Sequence, residues 1–85
     1  MTQTREEICR KVTAIAADTL YPGKESNIKP EDNLRDEHGA DSLDQVDMVM
    51  KLEKEYQITI PDVELERLRT VSDFTRLVET KLKEK

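Results

Sequence analysis

Apolar positions recur with helical spacing in three long stretches of this chain and lose it between them. Ile8, Val12, Ile15 and Ala16 form one stripe of the 3.6-residue period. It opens on Thr4-x-x-Glu7, a pattern in which each side chain satisfies a backbone N–H that the first helical turn leaves unpaired. The stripe runs to about Leu20, and Tyr21-Pro22-Gly23 stops it. Residues 22–41 hold two prolines and two glycines and no sustained period, which predicts a long loop anchored by Ile28 and Leu34. Loops of that length in a small domain are usually functional.

A second helix is predicted from about Asp41-Ser42, with Ser42 and Gln45 as an S-x-x-Q capping pair and Asp44 and Asp47 at the end where the helix dipole favours negative charge. Its apolar residues cover two faces. Val49, Leu52 and Tyr56, with Met48 beside them, suit a core. Leu43, Val46 and Met50 fall on a neighbouring face that a small core does not need, and so predict a contact surface. Ile58-Thr59-Ile60 runs into Pro61 and reads as an extended link. Asp62 is placed as the cap of a short helix, Val63 to about Arg69, with Leu65 and Leu68 inward. Thr70-x-x-Asp73 opens a last amphipathic helix carrying Val71, Phe74, Leu77, Val78 and Leu82, with Lys81, Lys83 and Lys85 at its negative end. The expected fold is all-α: a four-helix bundle of three long helices and one short one, with a long loop between the first and second, forming one domain over 1–85.

Composition agrees. The chain is 39% charged and 4% aromatic, so aliphatic side chains must supply the core. A chain of 85 residues buries only about 60% of its unfolded surface, which leaves modest stability. The net charge of −5 is concentrated: residues 31–47 hold seven acids against Arg35, a balance of −6, and the remainder is +1. Such a field excludes nucleic-acid backbone as a partner and favours enzymes with basic surfaces. The single cysteine, Cys9, allows no internal disulfide and reads as a small core residue. No apolar run reaches membrane-spanning length, and a monomeric cytoplasmic protein is expected.

Ser42 is the residue whose chemistry matters. A nucleophilic serine needs a base and an oxyanion hole, whereas the one histidine, His38, lies four residues upstream and no G-x-S-x-G elbow is present. One histidine and one cysteine build no zinc site, and the acidic loop lacks EF-hand spacing, so no metal is expected. A simple helix cap remains as a structural alternative.

Gly39-Ala40-Asp41-Ser42-Leu43, the acidic and apolar helix after it, Ile60-Pro61-Asp62 and Thr70-Val71 together resemble the acyl carrier protein family over nearly the whole chain. The resemblance implies a 4′-phosphopantetheine arm on Ser42, installed from coenzyme A by a separate phosphopantetheinyl transferase that uses Mg²⁺, with Asp41 helping to orient the metal. The carrier itself is then no enzyme. Its arm holds acyl groups as thioesters for acyl-loading, ketosynthase, reductase and acyltransferase-type enzymes of fatty acid or polyketide assembly, including specialised lipid pathways. The resemblance places partner docking on Leu43, Asp44, Val46, Asp47 and Met50, and an acyl pocket among Leu34, Val49, Leu52, Ile60, Leu65 and Leu68. His38 stands where the family carries an apolar residue and is read as an exposed loop histidine. Lys51 and Lys54 interrupt the acidity of the second helix, and Val63 replaces a common acid. An aminoacyl or peptidyl carrier, or an unmodified helical adaptor in which Ser42 only caps, are the alternatives.

Overall fold

A computed structural model describes residues 4–84. The first helix, α1 (Arg5–Leu20), carries the expected cap: the Thr4 side chain accepts from the Glu7 N–H, and Glu7 accepts from the Thr4 N–H in return. It ends at Tyr21, and Gly23 turns the chain at φ 71°.

The segment predicted as loop contains a helix, α2 (Leu34–His38). Asn33 caps it by accepting from the N–H groups of Arg35 and Asp36, and Gly39 closes it in the left-handed conformation at φ 69°. Five residues with one buried apolar side chain are too few to show a period, so only these caps mark it.

The third helix, α3 (Ser42–Tyr56), starts where the sequence predicts but on a different cap. Asp41, not Ser42, is the N-cap, and its box partner is Asp44, not Gln45. The short helix, α4 (Asp62–Leu65), is briefer than expected. Pro61 occupies its cap position and makes no side-chain bond there, Asp62 lies inside the first turn instead of capping it, and the helix is over well before Arg69. The last helix, α5 (Val71–Glu84), has the Thr70–Asp73 box as read. Lys85 lies outside the described residues.

α1 packs mainly on α5 and also on α3. Ile8, Val12 and Ala16 of α1 meet Met48, Val49, Leu52 and Tyr56 of α3 and Val71, Phe74 and Val78 of α5, all buried. Each large aliphatic side chain so placed contributes about 1.5–3 kcal/mol. Cys9 is half-buried against this core. Ile28 and Leu34 anchor the long connection, as the sequence suggests. Backbone bonds then pin it to the start of α5: Leu34 N–H to the Arg69 carbonyl at 2.9 Å, and Ser72 N–H to the Pro30 carbonyl at 3.0 Å. The Leu34 carbonyl also accepts from the Ala40 N–H at 3.0 Å, so the approach to α3 is fixed from both sides.

Candidate functional site

The first turn of α3 leaves Ser42 without a structural task. Asp41 Oδ1 accepts from the Asp44 N–H at 2.9 Å, and Asp44 Oδ2 accepts from the Asp41 N–H at 3.1 Å. The serine one position inside is exposed, and among the described residues no hydrogen bond engages its hydroxyl. Gln45, expected to complete a cap with it, bonds elsewhere. Its Nε2 donates to the Leu65 carbonyl at 2.9 Å and the Leu68 carbonyl at 2.8 Å, tying α3 to the segment between α4 and α5.

His38 is the second departure from the sequence reading. It is not an exposed loop residue but the last residue of α2, its side chain 10% exposed. Nδ1 lies 2.7 Å from the Tyr21 hydroxyl and Nε2 lies 2.8 Å from Asp32 Oδ2. A carboxylate only accepts, so Nε2 carries hydrogen; in the neutral ring Nδ1 then accepts from the tyrosine O–H. The ring joins the end of α1, the long connection and α2 just before Gly39. The Lys29 backbone N–H, together with His38, holds the Asp32 carboxyl below its ordinary range.

Beside Ser42 lies an open groove of about 500 Å³ lined by Arg35, Ser42, Gln45, Val46, Leu65, Glu66 and Arg69. Beneath it is a void of about 20 Å³ lined in part by Leu34, Met48, Leu68 and Phe74. That void is near the size of a single water. Of the residues expected to line an acyl pocket, Leu34 and Leu68 border the void, Leu65 borders the outer groove, and Val49, Leu52 and Ile60 are packed in the core.

The expected docking residues share one surface in part. Leu43 is 79%, Met50 61% and Val46 45% exposed. The acids among them are more constrained than their sequence suggests. Asp44 is engaged in the cap, and Asp47 lies 3.1 Å from Lys51 Nζ, which also reaches Asp18 of α1 at 3.3 Å. Burial disfavours the Lys51 charge, yet Asp47 and Asp18 outweigh it and raise its pKa. Lys54 is exposed, and Val63 is 75% exposed on α4. Sequence reasoning missed Gln45 as a tie and Arg35 and Arg69 as groove residues; their polarity was visible, but their convergence depends on the pinned loop.

A free hydroxyl at a helix start, opening onto a groove, suits a flexible covalent arm joined through a phosphate. Comparison with known proteins points the same way. A family model described as the phosphopantetheine attachment site matches residues 10–78. The chain is 43% identical over 79 residues to an acyl carrier protein of Thermotoga maritima, covering 93% of this chain and 96% of that one. It is 41% identical over 78 residues to one of Thermosynechococcus vestitus, covering 92% and 95%. Among solved structures, the acyl carrier protein of Thermotoga maritima superposes with a TM-score of 0.79 at 31% identity over 94% of this chain and 92% of that one. That of Enterococcus faecalis gives 0.73 at 26% identity, over 93% and 99%.

Fold and site thus define a carrier of the phosphopantetheine-bearing class. Within that class the chain belongs to the acyl carrier protein family. No helix among the described residues is long and apolar enough to cross a membrane.

Proposed function

We propose that Ser42 carries the 4′-phosphopantetheine arm and that the chain presents acyl groups on it to the enzymes of fatty acid or polyketide assembly in the cytoplasm. The observation that carries this reading is the Asp41–Asp44 capping pair, which frees an exposed Ser42 hydroxyl beside an open groove. The arm, once bound, supplies a terminal thiol that holds the acyl group as a thioester. The chain's own residues present, orient and shelter. The described residues around Ser42 offer it no base, so a separate transferase must attach the arm, with Asp41 beside the reacting hydroxyl in a position to help orient that enzyme's metal.

Leu43, Val46 and Met50 supply apolar contact for partner enzymes, and Asp44 and Asp47 supply negative charge that steers basic surfaces toward the arm. Exposed pairs of this kind are individually weak, which suits a carrier that must leave each enzyme quickly. The acyl chain finds shelter by opening the packing around Leu34 and Leu68, next to the void below the groove.

Incubating the protein with coenzyme A and a broad-specificity phosphopantetheinyl transferase, then measuring intact mass, tests the reading. The expected result is one added phosphopantetheine on the wild type and none on Ser42→Ala. An unmodified wild type, or a modified Ser42→Ala variant, overturns the site.

A further inference from the structure

The groove beside Ser42 is flanked by two arginines, Arg35 from the acidic stretch 31–47 and Arg69 from the segment before α5. We propose that this pair forms the binding site for the phosphodiester of the arm, holding its first segment in the groove. The inference rests on Ser42 as the attachment point and names the groups that would receive the anion attached there.

Four observations support it. The two residues are far apart in sequence but meet through the backbone, because the Leu34 N–H donates to the Arg69 carbonyl at 2.9 Å. That bond brings the two stretches of backbone together, and Arg35, one residue on from Leu34, lines the same groove as Arg69. Neither guanidinium is paired with a carboxylate among the described residues, whereas the nearby cations Lys51 and Arg76 are held by Asp47 and Asp73. The Arg69 head is pre-positioned, since Nη1 donates to the Glu66 carbonyl at 2.7 Å and the Leu68 carbonyl at 3.5 Å, which leaves the Nε and Nη2 N–H groups for a ligand. Finally, both arginines line the same groove as Ser42.

Charge supplies the reason for the arrangement. A phosphodiester on Ser42 adds a negative charge beside Asp41, Asp44 and Glu66. The start of α3 offsets only part of that, because the Asp41 carboxylate already occupies the Asp44 N–H. Guanidinium groups stay charged at all working pH values and match phosphate oxygens with paired N–H donors. Two of them on the groove wall neutralise the new charge and point the arm along Val46 and Leu65, the apolar part of the lining.

The test compares the unloaded protein with the same protein after enzymatic loading, using intact mass to establish attachment first. In ¹⁵N-labelled wild type, the Nε–Hε signals of Arg35 and Arg69 should shift on loading while that of Arg67, outside the groove, stays in place. The ³¹P resonance of the arm should move and sharpen in the loaded Arg35→Gln/Arg69→Gln variant and remain unchanged in Arg67→Gln. A protein that gains the full mass while all three arginine signals stay still, or whose ³¹P resonance is the same in wild type and double variant, overturns the phosphodiester site and leaves the attachment reading intact. Absence of any mass gain overturns the attachment reading, and this inference with it.

Discussion

Asp41 and Asp44 cap each other across the first turn of α3, at 2.9 and 3.1 Å, and Ser42 between them caps nothing. A serine that served as the cap would cost about 1 kcal/mol on removal. Here that cost belongs to Asp41. Asp41→Ala is therefore expected to lower unfolding stability by about 1 kcal/mol, or roughly 4–8 °C in melting temperature for a domain of this size. Ser42→Ala should fall within about 0.5 kcal/mol of wild type, as an exposed substitution away from any structural bond does. Thermal melts of the unloaded proteins check both, and a large loss from Ser42→Ala would restore the capping role that the structure gives to its neighbour.

How far the chain could be read in advance follows the same division. Long amphipathic stripes and their boxes at Thr4–Glu7 and Thr70–Asp73 were visible because each is local: the capping partners are three residues apart. The choice between Asp41 and Ser42 was not, since both residue types cap well and only side-chain geometry decides. His38 was misread because its partners lie 17 and 6 residues away, on the end of α1 and in the long connection. No period in the sequence reports a contact of that kind. The convergence of Arg35 and Arg69 was hidden for the same reason, because it depends on how the loop is pinned to the start of α5.

The Tyr21–His38–Asp32 chain of hydrogen bonds stands in for the apolar anchor that the family resemblance leads one to expect just before Gly39. His38→Ala removes both bonds at once and should cost about 1–2 kcal/mol, with Tyr21→Phe costing about half of that. The loss should be local as well as global. Backbone amides of Gly39 and Ala40 should exchange with solvent faster in His38→Ala than in wild type. Unchanged exchange there would mean that Leu34 and the Asn33 cap hold the approach to α3 without the histidine.

Acid should unfold the protein through a small set of carboxylates. Backbone and side-chain hydrogen bonds from Thr4 hold Glu7 below its ordinary range. Asp32 is lowered by the Lys29 backbone and His38. For Asp73, burial pushes the pKa up, but the backbone N–H groups of Arg69 and Thr70 and the Arg76 side chain together bring it down. A carboxyl with a depressed folded-state pKa contributes stability that is present above its unfolded value, about 4, and is lost as pH falls through the folded value. The urea midpoint should thus be insensitive to these groups above about pH 5 and fall below about pH 4. Asp73→Asn, weaker above about pH 5 and converging on the wild type in acid, should show a shallower fall over that window.

Lys51 is expected to modulate partner association. It draws Asp47 into a pair that also reaches Asp18, and so removes part of the negative field on the face proposed for docking. Lys51→Gln frees that charge. Its association rate with an enzyme bearing a basic docking surface should rise roughly twofold to threefold at low ionic strength, with the difference vanishing near 1 M salt. Stopped-flow binding across a salt series measures both. The apolar counterpart is Met50→Asp, which should weaken docking at every salt concentration while leaving the melting temperature nearly unchanged, because Met50 is exposed.

The void bordered by Leu34 and Leu68 is about 20 Å³, too small for any acyl chain, so sheltering one requires the core to open. The Gln45 bonds to the Leu65 and Leu68 carbonyls hold that region shut. A cavity made in advance should remove part of the cost of opening. Leu68→Ala in the unloaded protein is expected to cost about 2–4 kcal/mol, since a buried leucine is cut back and its space is left unfilled. Loading an eight-carbon acyl arm should then stabilise Leu68→Ala more than it stabilises wild type, because the chain fills existing space instead of displacing packed side chains. Paired melts of unloaded and octanoyl-loaded wild type and variant give the difference directly. Equal stabilisation of the two would place the acyl chain outside the core, along the groove lined by Val46 and Leu65.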